Sequence, residues 1–331
     1  MGLEIEHILR RAPQALATGK DEIMDMQSHL SEAQIETVKR YRKIEALVPA
    51  HWTEDRVLAH GIQQHYYRTG GDKPRLLLLH GFMESALSWL RTAKVLESQY
   101  DVIMVDARGH GLSDGIASGY SPQLLTDDVA EFIRALGLDK PAVLGFSLGG
   151  EMALRLAALY PDLPRCVLVG GANDQLGDVE AMSSSEGYKA WYNAWVAWLR
   201  DLKTQTHEER LVSSLHQLPP GAPLPPEDEY VAMVESSARV DLGLVELGPS
   251  LWSLRKAQFE EVKALQERIT CPVLLMYSGY FSVPGAPQAL REEPSTQPNV
   301  KIVRFENAGH MIYRERFDQF IDVVQRFLRE H

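Results

Sequence analysis

Ser147 lies in a short string whose residue types and spacing suit a nucleophilic serine. The string Gly145-Phe146-Ser147-Leu148-Gly149 follows an apolar run that predicts a strand, and it precedes a pattern that predicts a helix. A serine on so tight a turn needs small neighbours, because the strained backbone leaves no room for side chains beside it. The two glycines provide that room, and the positive end of the helix dipole lies beside the serine. We therefore predict that Ser147 attacks a carbonyl carbon.

A base for this serine is predicted at His310. Gly309-His310 follows the apolar run 300–305 and precedes the last helical pattern of the chain. A catalytic triad with the chain order serine, acid, histidine needs its base on such a late loop. The other histidines lack this context, and we expect His80 and His110 to hold loops rather than to act as bases.

Two backbone N–H groups are predicted to bind the oxyanion that would form during the attack. His80-Gly81-Phe82 follows the apolar run 75–79, so the N–H of Phe82 can point towards the serine. The N–H of Leu148, directly after the nucleophile, supplies the second donor. A donor of this kind typically contributes about 10²–10³-fold in rate.

Short apolar runs alternate with helical patterns through most of the chain after residue 50. This alternation predicts a mostly parallel sheet covered by helices on both faces, in which ligands bind at the carboxyl ends of the strands. The predicted strands are Arg75–Leu79, Val102–Val105, Ala142–Phe146, Cys166–Val169, Val273–Tyr277 and Val300–Phe305, and the predicted helices are Gln123–Leu136, Leu148–Leu159 and Arg314–Leu328.

The alternation stops between residues 176 and 264, a stretch that reads as helices and loops with a proline-rich connector. Trp191, Trp195 and Trp198 recur there at i, i+4 and i+7, which places them on one face of a helix. Such a stripe either packs the insertion onto the core or lines a binding pocket for an apolar substrate. Both interpretations are open at the level of the sequence.

Residues 1–50 read as a helical extension. Ser31 and Gln34 fit a capping box, and an apolar stripe of Ile35, Val38, Tyr41, Ile44 and Leu47 recurs at helical spacing up to Pro49. The stripe must be buried, either on the chain's own core or on a second copy of the chain, so a homodimer through this helix is one of the two expectations.

The composition excludes several classes of function. The 331 residues carry 34 Lys and Arg against 45 Asp and Glu, a net charge of −11, and 45% of them are hydrophobic. An acidic globular protein is a poor partner for nucleic acids or anionic membranes. Cys166 and Cys271 begin apolar runs and predict buried, reduced thiols, and no Cys/His cluster indicates a metal. Because the first residues contain no apolar run, we expect no secretion signal and a cytoplasmic location.

These motifs together resemble the α/β-hydrolase superfamily, in the branch with a cap inserted between the sixth and seventh strands. The matching pieces are His80-Gly81-Phe82, residues 106–114 (DARGHGLSD), the Ser147 turn, residues 271–275 (CPVLL) and Gly309-His310. The resemblance implies an eight-stranded, mostly parallel sheet in a core of residues 51–175 and 265–331, with a helical cap at 176–264. It also implies a serine hydrolase without a cofactor. Relatives with epoxide hydrolase or dehalogenase activity use Asp as the nucleophile, and Ser147 disfavours both.

One position departs from the family pattern. The family's acid usually follows the seventh strand in a Gly-x-x-Asp pattern, whereas this chain has Ser282 at that point. Some relatives carry the acid at the end of the sixth strand instead, where Asp174 is the candidate here. Glu292 and Glu293 are weaker candidates in what reads as an exposed helix end, and a Ser–His dyad is a further alternative.

Three functions fit these residues. The first is hydrolysis of a small to medium, apolar or aromatic carboxylic ester or lactone, with Ser147, His310 and Asp174 as the triad. The second keeps the site and cleaves an amide or a C–C bond. The third is a non-catalytic protein that binds a small molecule on a hydrolase scaffold, which the missing acid at Ser282 alone favours.

Overall fold

The chain divides into two compact units. The computed structural model describes residues 31–116, 118–172, 186–218, 222–246, 268–278 and 289–331. One unit, here called the helical unit, lies within Met1–Pro49 and Gly177–Leu254. The other, the sheet unit, lies within Ala50–Leu176 and Arg255–His331.

The described residues of the sheet unit form a nine-stranded sheet. Its strands are β1 Thr53–Ala59, β2 Ile62–Arg68, β3 Arg75–Leu79, β4 Asp101–Val105, β5 Ala142–Phe146, β6 Cys166–Ala172, β7 Val273–Ser278, β8 Leu290–Glu293 and β9 Val300–Phe305. They lie in the order β1-β2-β4-β3-β5-β6-β7-β9-β8. The six strands from β4 to β9 in this order pair in parallel, while β1, β2 and β8 pair antiparallel at the two edges.

All six predicted strands are present, and the prediction of a mostly parallel sheet is confirmed. The described residues contain nine strands rather than the eight that the resemblance implies. The three strands beyond the six predicted ones are β1, β2 and β8, which do not read as apolar runs. Glu292 and Glu293 belong to the edge strand β8 rather than to a helix end, and Arg304 donates to Glu293 Oε1 at 2.7 Å. These two acids are therefore edge residues in ion pairs.

Helices cover the sheet and make up the other unit. They are α1 Glu32–Val38, α2 Leu90–Leu96, α3 Pro122–Ala135, α4 Leu148–Leu159, α5 Glu186–Leu202, α6 His207–Ser213, α7 Glu227–Arg239, α8 Leu242–Glu246, α9 Ile312–Glu315 and α10 Phe317–Glu330. The predicted last helix, Arg314–Leu328, is thus two helices separated at Arg316, whose φ of −128° and ψ of 40° lie outside the helical region.

The core of the sheet unit is built on strands that are apolar on both faces. Leu76, Leu77, Leu78 and Leu79 of β3 are all fully buried, as a central strand under two helical layers requires. Cys166 and Cys271 are both buried and unbonded, which confirms the prediction of reduced core thiols, and burial raises the pKa of each to about 11. No helix in the described part of the chain is both long and apolar enough to cross a bilayer.

The N-terminal segment is only partly helical. The predicted capping box is confirmed: the N–H of Gln34 donates to Ser31 Oγ at 3.1 Å, and the N–H of Ser31 donates to Gln34 Oε1 at 3.3 Å. The helix ends at Val38, however, and a separate 3₁₀ turn follows at Ile44–Ala46. Between them the N–H of Arg42 donates to Glu227 Oε1 at 2.7 Å, so it is not used to extend the helix. Residues 1–30 lie outside the described residues.

The apolar stripe of this segment is buried inside the helical unit. Val38, Ile44 and Leu47 are buried, and the ring of Tyr41 lies edge-on to Tyr230 of α7 at 6.1 Å between centroids. The stripe was expected to pack either on the chain itself or on a second copy of the chain, and the described contacts are with the chain itself. A homodimer through this segment stays a prediction.

Polar contacts hold the same segment to α6 and α7. Arg42 Nη2 lies 2.7 Å from Glu227 Oε2, and Arg239 Nη2 lies 2.8 Å from Glu45 Oε1. His207 bridges the two parts, because its Nε2 lies 3.2 Å from the carbonyl oxygen of Tyr41 and its Nδ1 lies 3.0 Å from Glu235 Oε1. Residues 31–49 are thus an integral layer of the helical unit.

We expect Val38→Ala to destabilise the helical unit more than Arg42→Ala does. Val38 is fully buried, so removing its two methyl groups costs about 1–3 kcal/mol. The side chain of Arg42 is 60% exposed, so loss of its ion pair costs less than about 1 kcal/mol. Equilibrium urea unfolding followed by tryptophan fluorescence measures both, and an equal or larger loss in Arg42→Ala would contradict the packing described here.

Candidate functional site

Ser147 sits on a strained turn between β5 and α4. Its φ of 50° and ψ of −112° lie in a region that residues with a side chain rarely adopt. Its N–H donates to the carbonyl of Gly170 at 2.9 Å, and its own carbonyl accepts from Glu151 as α4 begins. The turn therefore fixes the serine at the carboxyl ends of β5 and β6, beside the first turn of a helix.

The glycines around Ser147 are there because two backbones approach closely. A Cβ at Gly145 would lie 2.0 Å from the carbonyl oxygen of Gly149, and one at Gly149 would lie 2.1 Å from the carbonyl oxygen of Leu79. Real Cβ contacts are not that short, and backbone atoms cannot rotate away. The reason given in the sequence analysis for these two glycines is confirmed.

Phe82 and Leu148, the two predicted oxyanion donors, lie on elements that end or begin at this edge. Leu148 opens α4, where the first N–H groups have no acceptors within the helix. Phe82 lies on a turn after β3 that is closed by a 3.2 Å hydrogen bond from the N–H of Glu84 to the carbonyl of Gly81. Met83 in that turn has a φ of 63°, a left-handed conformation that β-turns of type II require at their third residue.

His310 lies on the loop between β9 and α9 and reaches the same edge. Its ring centroid is 5.1 Å from that of Phe146, the residue before Ser147. A Cβ at Gly171, in β6, would lie 3.2 Å from His310 Cε1. The structure thus brings His310 against the ends of β5 and β6, next to the turn that carries Ser147.

Gly171 is the residue of β6 that lies against His310, and its φ of 67° is in the left-handed region that favours glycine. Asp174, the predicted acid, and Ser282, which stands at the family's usual acid position, both lie outside the described residues. The role of Asp174 as the acid stays a prediction.

His80 and His110 are structural, as expected. His80 is buried, donates from Nδ1 to the carbonyl of Gly81 at 2.8 Å and accepts the N–H of Ala107 on Nε2 at 3.0 Å, so it holds two loops together. His110 is also buried, and its Nδ1 lies 3.1 Å from the carbonyl oxygen of Arg108. Burial lowers the pKa of His110 to about 3, so this ring is neutral.

The predicted tryptophan stripe is not the face that α5 buries most deeply. Tyr192, Val196, Leu199 and Leu202 form the buried face, at the same helical spacing but one position along. Trp195 and Trp198 are half-buried at its flank, and the ring of Trp198 lies 5.5 Å from that of His216. The side chain of Trp191 lies outside the described residues. A role of the three tryptophans in binding substrate stays a prediction.

Asp106 is a buried carboxylate that fastens the loops around the site. It accepts the N–H of Ala86 at 2.6 Å and that of Leu112 at 2.9 Å, and His65 Nδ1 lies 2.8 Å from its Oδ2. Burial alone would raise the pKa of Asp106, but the hydrogen bond and charge of His65 and the N–H of Ala86 outweigh it and hold that pKa below its usual range.

Glu84 is the residue at this edge that the sequence analysis missed. Its carboxylate accepts the N–H of Gly81 at 2.9 Å and Arg314 Nη2 at 2.7 Å, and it is hydrogen-bonded to the hydroxyl of Tyr313. The available signal was an acid in an otherwise apolar loop, three residues after a glycine.

Across the described ranges, no group of three or more His, Cys, Asp or Glu is arranged to hold a metal ion.

Comparison with known proteins agrees with this fold and site. A family model of the α/β hydrolase fold matches residues 74–317, well over half of the chain. The chain therefore belongs to the α/β-hydrolase family and is a hydrolase.

Two curated hydrolases are similar over most of their length. The chain is 30% identical to N-formylmaleamate deformylase of Pseudomonas putida over 82% of this chain and 95% of that protein. It is 29% identical to 2-(acetamidomethylene)succinate hydrolase of Mesorhizobium japonicum over 74% of this chain and 84% of that protein. Among solved structures, N-formylmaleamic acid deformylase from Pseudomonas putida S16 matches with a TM-score of 0.62 at 20% identity, over 82% of this chain and 100% of that one. This last likeness shows a shared fold.

We expect Gly149→Ala to be far more damaging than Gly150→Ala. The added methyl group at position 149 would lie 2.1 Å from the Leu79 carbonyl oxygen, and overpacking of this kind typically costs about 1–3 kcal/mol and occasionally more. At position 150 the nearest atom is a side-chain methyl of Val169 at 3.0 Å and the nearest backbone atom is 3.2 Å away, so the overlap is much smaller, and Ala is the better helix former. Urea unfolding of both variants checks this, and similar losses would contradict the close backbone approach.

The lowered pKa of Asp106 predicts a dependence of stability on pH. Its carboxylate stabilises the folded state above the unfolded pKa of about 3.9, and this contribution is lost as the pH falls through the lower folded value. Asp106→Asn should therefore be less stable than the parent at pH 7, and the difference should shrink between pH 5 and pH 2. Urea midpoints across this range measure it, with the exposed Asp72→Asn as the control. A constant difference would contradict the assignment.

Proposed function

We propose that the chain is a serine hydrolase that cleaves a small to medium, apolar or aromatic carboxylic ester or lactone through an acyl-enzyme on Ser147. The observation that carries this proposal is the strained φ of 50° at Ser147, at the start of α4, with His310 packed against the preceding Phe146. A strained serine at a helix N-terminus beside an imidazole is the arrangement that an activated nucleophile needs.

The reaction would proceed in two displacements. Ser147 Oγ attacks the carbonyl carbon while His310 takes its proton, and the N–H groups of Phe82 and Leu148 stabilise the oxyanion. His310 then gives the proton to the leaving alkoxide, which departs as the alcohol and leaves the acyl group on Ser147. A water deprotonated by the same imidazole attacks the acyl-enzyme, and the acid leaves as the serine is reprotonated. No cofactor takes part in these steps.

For the acid that orients His310 we propose Asp174. It lies three residues beyond Gly171, whose Cβ position is 3.2 Å from His310 Cε1. Three residues of chain span up to about 10 Å, so a carboxylate at 174 is within reach of a neighbour of Gly171. A Ser–His dyad is the alternative, since Gly171 itself brings no carboxylate to the ring. Trp191, Trp195 and Trp198 would supply apolar contacts to the substrate.

An amide is the second candidate substrate, and the relatives' names favour it. N-formylmaleamate deformylase and 2-(acetamidomethylene)succinate hydrolase are both named for N-acyl compounds. The same kind of acyl-enzyme would form on Ser147 from such a compound, with the nitrogen of the remaining fragment as the leaving group in place of the alkoxide. His310 would protonate the nitrogen before it leaves.

The first test is hydrolysis of p-nitrophenyl esters across a pH series by the parent, Ser147→Ala and Asp174→Asn. We expect Ser147→Ala to lose at least about 10³-fold in kcat/KM and Asp174→Asn about 10²–10⁴-fold, because the imidazolium loses its counter-charge. Glu293→Gln, which alters an edge-strand ion pair, is the matched acid control and should keep the parent rate.

The outcomes separate the candidates. Loss of esterase activity in Ser147→Ala alone supports a Ser–His dyad and contradicts the assignment of Asp174 as the acid. Cleavage of N-acyl substrates without ester cleavage, again dependent on Ser147, makes the protein an amidase. A parent that cleaves neither class and does not react with a fluorophosphonate overturns the serine-hydrolase proposal in favour of a binding protein.

A further inference from the structure

Two side chains hold the turn that carries the proposed oxyanion donor Phe82: His80 binds the carbonyl of Gly81, and Glu84 binds its N–H. Within the turn, Glu84 Oε2 accepts the N–H of Gly81 at 2.9 Å, while the N–H of Glu84 donates back to the carbonyl of Gly81 at 3.2 Å. Met83 lies between them and has a left-handed φ of 63°. This conformation is unfavourable in free energy for any residue that has a side chain. The Glu84 carboxylate therefore helps to keep this strained turn closed, together with the ring of His80.

The Glu84 carboxylate also binds α9, the helix that follows His310. Its Oε1 accepts Arg314 Nη2 at 2.7 Å and the hydroxyl of Tyr313, and both residues belong to α9. The side chains of Glu84 and Arg314 are only 12% and 14% exposed, so the pair is shielded from solvent. Charge-assisted hydrogen bonds in such surroundings are strong and directional.

α9 in turn is tied to His310. The N–H of Ile312, its first residue, donates to the carbonyl of His310 at 3.0 Å. Phe146 packs against both rings, with centroid distances of 4.7 Å to Tyr313 and 5.1 Å to His310. A shift of α9 would therefore move the imidazole relative to the residue that precedes Ser147.

Gly81 has to be glycine for the contact between its N–H and the Glu84 carboxylate. The loop of His310 contains the same arrangement, formed by Gly309 and Glu315. A Cβ at Gly81 would lie 2.8 Å from Glu84 Oε2 and one at Gly309 would lie 2.4 Å from Glu315 Oε1. The N–H of Gly309 donates to Glu315 Oε2 at 2.8 Å. In both loops the glycine directly before the functional residue is fixed through its N–H by a carboxylate a few residues further on.

The geometry points to Glu84 as a positioning residue that sets the oxyanion-hole turn and the His310 loop relative to each other. Both of its carboxylate oxygens are used by Gly81, Tyr313 and Arg314, which assigns it to positioning rather than to orienting the imidazole as the triad acid. This inference rests on the proposed function, because it presumes that Phe82 and His310 act on one reacting carbonyl. It adds a residue to the site that the Ser147, His310 and Asp174 assignments do not contain.

The test compares Glu84→Gln with Asp101→Asn in the full chain. Asp101 is a matched control, because it is buried, accepts the N–H of Gly70 at 3.0 Å and binds Arg68, but lies at the amino end of β4. Glu84→Gln keeps the side-chain length but turns one acceptor into a donor facing Gly81 or α9. We expect its kcat on a p-nitrophenyl ester to fall about 10–100-fold with KM within about 3-fold, because donor and base are displaced in the transition state. Asp101→Asn should keep kcat within about 2-fold of the parent while losing stability.

Tyr313→Phe is the second variant, and it tests the link if Glu84→Gln fails to fold. It removes one hydrogen bond to Glu84 without opening a cavity, and we expect a fall in kcat of about 3–10-fold. Where both single variants fold, the double variant should lose less than the product of the two single losses, since both break one connection. Fluorophosphonate labelling rates should fall in the same order.

The outcomes distinguish this inference from the proposed function. If Ser147→Ala abolishes activity but Glu84→Gln and Tyr313→Phe keep the parent kcat, the positioning role is overturned and the serine hydrolase stands. A rise in KM alone, or an equal fall in kcat for Asp101→Asn, would also overturn it. A parent that neither hydrolyses esters or N-acyl compounds nor reacts with fluorophosphonate overturns both.

Discussion

The close contact between the first turn of α4 and the ends of β3 and β5 is the constraint on which the site depends. Gly149 stands against the carbonyl of Leu79 with no room for a Cβ, and Gly145 stands against Gly149 in the same way. These contacts join backbone to backbone, so no side-chain movement can relieve them. Ser147, with its positive φ, lies between these two glycines; the end of β3 that they contact carries the Phe82 turn, and β6, the strand beside β5, carries Gly171 next to His310.

The central strands and the serine turn could be predicted because their physical requirements are visible in residue types. A strand buried on both faces needs a nearly unbroken apolar run, and two such strands, Arg75–Leu79 and Ala142–Phe146, have the predicted bounds. The glycines of the turn mark a close backbone approach, and a histidine after a late strand marks a loop at the same edge. Local patterns suffice wherever burial or backbone strain restricts the residue type.

The features that the sequence did not reveal depend on partners distant in the chain. β2 buries Gln64 and His65, which read as polar until their partners Asp128 and Asp106 are known, and β8 is a short charged edge strand. The break after Val38 and the role of Glu84 likewise depend on residues 185 and 229 positions away. Amphipathic spacing located the helix that carries the tryptophans but not its most buried face, because two adjacent faces of that helix are apolar.

Residues 31–49 pack with the helices of the insertion, and this has a consequence for exchanging the insertion between related proteins. Arg42 and Glu45 form ion pairs with α7, and α1, which carries the buried Val38, contacts α6, more than 150 residues away in the chain. If the insertion were exchanged for that of a relative while residues 31–49 were kept, those residues would lose their partners. Their apolar stripe would then be exposed to water. The helical unit is therefore discontinuous in sequence, and an exchange that preserves its packing has to carry both segments.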